Sequence, residues 1–259
     1  MKLVRFKQGE MQAYGVLENK KIQPVTGDFQ AIARGEFART GECCSLMDVS
    51  LLAPCLPSKV ICLGLNYRGH AAEMNLELPR EPIIFMKPST AVIGSGQDII
   101  HPPQSRRVDY EAELGVVMGA RARKVSPEEA LDYVLGYTCA NDVTARDLQP
   151  KDGQWTYAKG FDTFAPLGPW IETSVPNPDN LQLKGYLNGE LVQSTSTTDH
   201  IFPVARLLSY ISACMTLLPG DVIMTGTPPG IGPMQAGDVF EVDIEGIGKL
   251  GNRLVKEES

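Results

Sequence analysis

The chain has 259 residues, with 24 Lys and Arg against 31 Asp and Glu, for a net charge of −7. That length suits one large domain with a small appendage, and an acidic chain without a long basic cluster is poorly suited to nucleic acid or an anionic membrane surface. No apolar run approaches the ~18–20 residues of a membrane helix, the first ten residues lack an apolar signal core, and six cysteines with no Cys-x-x-Cys pair point to reduced thiols in a cytoplasmic protein.

In chain order, residues 1–53 read as a small β-rich module, with short strands at Lys2 to Phe6, Ala13 to Glu18 and Lys21 to Pro24. Pro54 and Pro57 mark a boundary, and residues 54–259 form the main domain. Val60 to Leu65 is a compact apolar run that predicts a buried strand, and His70 to Leu76 a helical turn. Strands follow at Ile83 to Lys87, Ala91 to Ile93 and Asp109 to Met118. Ser126, Pro127, Glu128 and Glu129 predict a helix start running toward Leu135 and ending at Gly136. Tyr137 to Asn141 is a strand, then a polar stretch to Asp162 is irregular. Leu181 to Gln193 is a hairpin around Asn188-Gly189, Pro203 to Thr216 a helix, and Val239 to Ile244 with Leu250 to Val255 a terminal strand pair. The sum is an α+β chain, predominantly β, with scattered helices.

The most informative segment is Val108 to Met118. Side chains alternate faces along a strand, so Asp109, Glu111 and Glu113 share one face. Like charges at that spacing repel unless solvent screens them or a cation neutralises them. A solvated outer face and a cation site are both consistent with this segment alone. Val116, Val117 and Met118 make its continuation apolar on both sides, which favours acids carried from a core into a cleft. Asp142 sits where a strand gives way to a turn, suited to a ligand or to a helix cap. Three carboxylates without a nearby His or Cys form an all-oxygen set, which fits magnesium, calcium or manganese and not zinc or copper.

Other residues invite a chemical role beside a bland one. His70 and Glu73 are three apart and meet on one helical face, either as a surface ion pair or as a carboxylate-oriented base. Lys159 follows an aromatic stretch, and burial beside a cation would disfavour its charged form. His101 and His200 have no evident partner and read as structural. Thr225 to Gly232 is glycine-rich but lacks the Gly-Lys-Ser/Thr of a phosphate loop. A turn presenting Thr227 and backbone N–H groups to a carboxylate fits it better.

With these segments in view, the chain resembles the fumarylacetoacetate hydrolase family, especially its short bacterial and mitochondrial members. The resemblance covers roughly residues 58–255. It rests on Gly64-Leu-Asn-Tyr-x-x-His70-x-x-Glu73, Asp109-Tyr-Glu-x-Glu-Leu114, Asn141-Asp-Val-Thr-Ala-Arg-Asp-x-Gln149, the run from Lys159 to Pro169, the run from Pro219 to Gly232, and Ile244 to Leu250. It implies a β-roll catalytic domain behind the small N-terminal module. It implies Glu111, Glu113 and Asp142 as ligands of Mg2+ or Mn2+, His70 and Glu73 as a dyad on a lid, Lys159 as an active-site lysine, and Arg146, Gln149 and Thr227 as substrate-facing. Asp109 is left outside the ligand set. The implied activity is hydrolysis of a C–C bond in acylpyruvate-type 2,4-dioxo acids through an enolate. A hydroxyheptadienedioate isomerase, an oxaloacetate decarboxylase and a non-catalytic oxo-acid binder are the alternatives. Members of the family are commonly homodimers.

Overall fold

The computed structural model describes residues 1–150 and 153–257. Strands hold 42% of the chain and helices 16%, as the predominantly β reading requires. Among the described residues, one long sheet runs in the order Cys44–Ser45, Lys21–Pro24, Met11–Glu18, Lys2–Gln8, Ala165–Glu172, Val134–Asn141, Ala112–Met118, Val222–Met224, Val60–Gly64, Ile83–Lys87. A five-stranded sheet lies in the order Glu190–Ser196, Gln182–Leu187, Val239–Ile244, Gly248–Lys256, Ile99–His101. A small third sheet places Val108–Tyr110 between Thr144–Ala145 and Gly232–Met234. No helix among the described residues is long and apolar enough to cross a membrane.

Alternation along Ala112–Met118 divides the core. Leu114, Val116 and Met118 join one apolar cluster with Leu183, Phe240 and Ile244 of the five-stranded sheet and with Leu207, Leu208 and Ile211 of the helix Val204–Cys214. Val117 faces the other way, into a cluster with Leu3, Val16, Val60, Cys62, Leu167 and Ile171. Glu113 shares the parity of Val117, so the acid enters a face that is otherwise a core.

Several expectations are adjusted. The strand expected from Asp109 to Met118 is two strands, Val108–Tyr110 and Ala112–Met118, because the chain changes partners at Glu111. The helix expected after Ser126 shrinks to a 3-10 turn, Ala130–Tyr133. Val134 is already paired with Met118, and Leu131 is exposed, so no apolar stripe holds a longer helix against the sheet. The expected helical turn at His70 starts two residues earlier, as Arg68–Glu73. The stretch expected to be irregular contains Thr144–Ala145, a 3-10 turn Arg146–Leu148 and a short helix Thr156–Lys159; its positions 151 and 152 lie outside the described residues.

Candidate metal centre and active site

Glu111 stands in the gap between the two strands. Its own N–H donates to Asn141 Oδ1 at 3.0 Å, and its carbonyl accepts from Asp142 N at 2.9 Å. These two bonds tie the acidic strand to the end of Val134–Asn141 and bring Asp142 beside Glu111. Glu113 is one alternation further along. The three residues are buried, and candidate ligand oxygens, one from each, lie within 4.8 Å of one another. The outer-face alternative is thereby excluded: Asp109, Glu111 and Glu113 all lie inside the protein.

Cations surround the acids. Lys159 Nζ donates to Glu111 Oε2 at 2.8 Å and to Asp142 Oδ2 at 2.6 Å. Arg146 spans three groups, donating to Glu111 Oε1, to Asp109 Oδ2 at 2.8 Å and to Gln149 Oε1 at 2.6 Å. Asp109 is further held by Arg107 at 2.8 and 3.1 Å. It is therefore an anchor for two arginines and stays outside the ligand set. Lys87 lies 2.6 Å from Asp142 Oδ1, a charge contact, while its aligned hydrogen bonds go to the carbonyls of Val143 and Phe164 at 2.8 and 2.6 Å.

The electrostatics follow from these partners. Burial alone would raise Glu111, but Lys159 and Arg146 outweigh it and hold the carboxyl down at about 2. Burial raises Glu113 well above the usual carboxylate range, and Asp142 and Glu111 add to that. Burial would lower Lys159, yet Asp142 and Glu111 overcome it and favour the ammonium. That direction is opposite to the sequence expectation, which weighed burial and a cation but not direct contact with two carboxylates.

The donor set fits a hard divalent cation. Glu113 Oε1 is buried without a hydrogen-bond partner among the described residues, and Asp142 Oδ1 has a charge neighbour but no aligned donor. A buried oxygen left open as Glu113 Oε1 is costs stability unless something positive fills the space beside it. Glu111, Glu113 and Asp142 would hold the ion, with carboxylate oxygens only.

A glycine-rich loop covers the centre. Gly226 N–H donates to Glu113 Oε2 at 2.7 Å, with Gly226 at φ +98° and an added Cβ only 2.8 Å from that of Asn66. Four residues later Gly230 N–H donates to Glu73 Oε1 at 3.1 Å. The loop therefore joins a candidate metal ligand to the helix that carries His70. On that helix His70 Nδ1 lies 3.0 Å from Glu73 Oε2, with the histidine side chain 11% exposed and the glutamate 39%. The polar atoms of Thr227 are turned inward: its hydroxyl donates to Ala112 O and accepts from Gln193 Nε2, both at 3.0 Å.

Two participants have no motif to announce them in the sequence. Lys87 ends an apolar strand, and its burial at that alternation is its only signal. Gln193 is buried under the acidic strand, accepting from Ala112 N and donating to Thr227 and Pro228, all at 3.0 Å. His200, read as structural, is buried edge-on to Tyr67 at 4.6 Å between ring centres, 3.7 Å from Asp179, with neither ring nitrogen hydrogen-bonded among the described residues.

Comparison with known proteins agrees with this geometry. Residues 59–255 match the model for the C-terminal domain of fumarylacetoacetate (FAA) hydrolase, and residues 1–54 match the Rv2993c-like N-terminal model. An uncharacterized protein of Archaeoglobus fulgidus is 56% identical over 211 residues, 82% of this chain and 84% of its own. The mitochondrial oxaloacetate tautomerase Fahd2a of Rattus norvegicus is 42% identical over 218 residues, 80% of this chain and 70% of its own. The crystal structure of 2-hydroxyhepta-2,4-diene-1,7-dioate isomerase from Mycobacterium marinum is 42% identical with a TM-score of 0.90, covering 100% of each chain. By its motifs, its fold and these matches, the chain belongs to the fumarylacetoacetate hydrolase family.

Proposed function

We propose that the protein is a Mg2+- or Mn2+-dependent enzyme of small 2-oxo acids that hydrolyses the C3–C4 bond of acylpyruvates. The observation that carries this reading is the His70–Glu73 pair, joined by a 3.0 Å contact and tied through the Gly226–Gly230 loop to the carboxylate centre. When bound, the divalent ion supplies Lewis acidity to negative charge developing on the 2-oxo oxygen. Glu73 orients the imidazole, and His70 takes a proton from water as that water adds to the C4 carbonyl. The C3–C4 electron pair leaves with the pyruvate half, which is protonated at C3, and the acyl half departs as a carboxylic acid. Lys159, kept cationic by Glu111 and Asp142, stabilises the developing charge.

A second reading is favoured by the activities in the names of the relatives, an oxaloacetate tautomerase and a hydroxyheptadienedioate isomerase. Both move a proton in a 2-oxo acid and need no water. A panel of acylpyruvates, oxaloacetate and hydroxydienoates, assayed with magnesium and with manganese, separates the readings. Under hydrolysis, His70→Ala loses ~10²–10⁴-fold in acylpyruvate turnover, the usual worth of a positioned base, while still binding magnesium and oxalate. A rate within a few-fold of the parent would exclude the pair as the base and leave the proton-moving reading, with Lys159 as its centre.

A further inference from the structure

The helix that carries His70 and Glu73 has six residues, Arg68–Glu73. Isolated helices below ~12–15 residues are marginal in water, so this one takes its shape from what it packs on. Tyr67, at its N-cap, makes no side-chain cap. The cap arrives from a segment 130 positions away. Asp199 closes the 3-10 turn Thr197–Asp199 and accepts the Gly69 N–H on Oδ2 at 2.9 Å. A Cβ on Gly69 would stand 3.3 Å from that oxygen and 3.3 Å from Pro229 Cγ, so the lid backbone is gripped between the turn and the glycine-rich loop. Arg68 donates to the His200 carbonyl at 2.6 Å, and Tyr67 forms a backbone bridge with His200.

The turn that presents Asp199 is itself fixed. Thr197 Oγ1 donates to Pro178 O at 2.8 Å and accepts from Leu181 N at 2.9 Å, and Ser196 Oγ accepts from Thr198 N at 3.2 Å. Just beyond, Asn66 clasps Phe202, accepting from its N–H at 2.9 Å and donating to its carbonyl at 3.2 Å. The eleven-residue helix Val204–Cys214 follows directly. A short helix is thus docked against the segment that leads into a longer one, and a single carboxylate satisfies an orphan donor of its first turn.

We propose that Asp199 is a positioning residue of the active site: it holds the first turn of the lid helix in place and so sets where the His70 imidazole stands. This rests on the assignment of His70–Glu73 as the base, and Asp199 itself touches no reacting atom.

The test uses Asp199→Ala and Asp199→Asn in the full chain, each alone and with His70→Ala. Asp199→Ala is expected to lower kcat/KM on the preferred acid by ~10-fold, the scale on which small misplacements of a catalytic group act. Asp199→Asn, which keeps an acceptor oxygen, should recover to within ~3-fold of the parent. Magnesium affinity by calorimetry should be unchanged. Amide hydrogen exchange across residues 69–73 should rise in Asp199→Ala and not in Asp199→Asn. In the His70→Ala background the same substitution should change the residual rate by less than ~2-fold, because the two residues act as one unit. A full additive loss in that background, or unchanged exchange and rate in Asp199→Ala, would overturn the proposal. Should Asp199→Ala not fold, Asp199→Ser, whose hydroxyl is too short to reach Gly69, carries the same expectations. If His70→Ala alone has no effect, the base assignment fails, and the exchange measurement still decides whether Asp199 holds the lid.

Discussion

Glu111 and Glu113 are two residues apart, and their surroundings act on them in opposite directions. Glu111 is the anion that Lys159 and Arg146 are built around, so Glu111→Gln leaves buried cations short of a partner. Removing one member of a buried pair typically costs ~3–5 kcal/mol, and the lower end is expected here because Arg146 reaches solvent. Among the described residues no cation pairs directly with Glu113, and its charged form is opposed by burial, Asp142 and Glu111. Glu113→Gln should therefore leave the metal-free protein as stable as the parent or more so, measured by urea unfolding in a chelator. The same variant should lose ~100-fold or more in magnesium affinity and all turnover, since an anionic ligand is gone. Unchanged magnesium affinity in calorimetry would refute Glu113 as a ligand. The pH dependence of the metal-free protein has two parts of opposite sign. Glu111, depressed to about 2, contributes stability that is present above its unfolded value near 4.5 and lost as pH falls toward 2. Glu113, raised, contributes most at low pH and loses that contribution as pH rises toward its folded value. Glu111→Gln should flatten the acid limb and, by removing a charge that helps to raise Glu113, also weaken the upper limb, whereas Glu113→Gln should flatten the upper limb.

At the scale of elements, the acidic strand is positioned from both sides, and one of those sides was not legible in advance. Ala112 pairs with Asn141 in the ladder, but its remaining N–H and C=O meet Gln193 and Thr227 instead of a neighbouring strand. Gln193→Leu keeps the volume and removes three hydrogen bonds, stranding the Ala112 N–H. A cost of ~2 kcal/mol in unfolding free energy is expected, with a rise in KM larger than the fall in kcat as the Thr227 loop loosens. Equal stability and kinetics would mean that the staple is idle. The periodic elements were readable because alternation and caps are local: Lys2–Gln8, Val60–Gly64, the Asn188-Gly189 hairpin and the helix Val204–Cys214 all follow from short windows. Ala165–Glu172 was not, although it lies inside the long sheet. It contains Pro166, Gly168 and Pro169, residues that argue against an interior strand. The sheet accommodates them with a register shift, so that Tyr137 faces Glu172 while Cys139 faces Gly168. The carboxylate trio was legible because acids on a strand leading into an apolar run are conspicuous. Lys87, Gln193 and Asp199 were not, since each works through contacts at least 34 positions away in the chain.

For the whole molecule, the issue is what the first 53 residues contribute to a centre they do not touch. None of their side chains belongs to the Glu111–Glu113–Asp142 cluster. Yet they are not a separate sheet. Lys2–Gln8 pairs with Met11–Glu18 on one side and extends the long sheet through Leu3 opposite Ile171. Leu3 and Val16 pack in the same apolar cluster as Val117, Ala140, Leu167 and Met224, the layer from which Glu113 projects. The N-terminal strands thus cover an edge of the long sheet and complete the apolar layer beside the acids. Leu3→Ala should cost ~3 kcal/mol, as for a buried leucine that leaves a cavity, and should leave magnesium affinity unchanged because no ligand moves. Deleting residues 1–53 removes the whole cover: Ala165–Glu172 becomes exposed along its edge, with Leu167 and Ile171 beside it. An uncovered apolar edge strand templates association, so the shortened chain should aggregate on expression or melt far below the parent, as light scattering and thermal unfolding would show. A soluble, monodisperse fragment with the parent's melting temperature and magnesium affinity would mean that the main domain closes its own core. The N-terminal strands would then be an attachment with a task of its own.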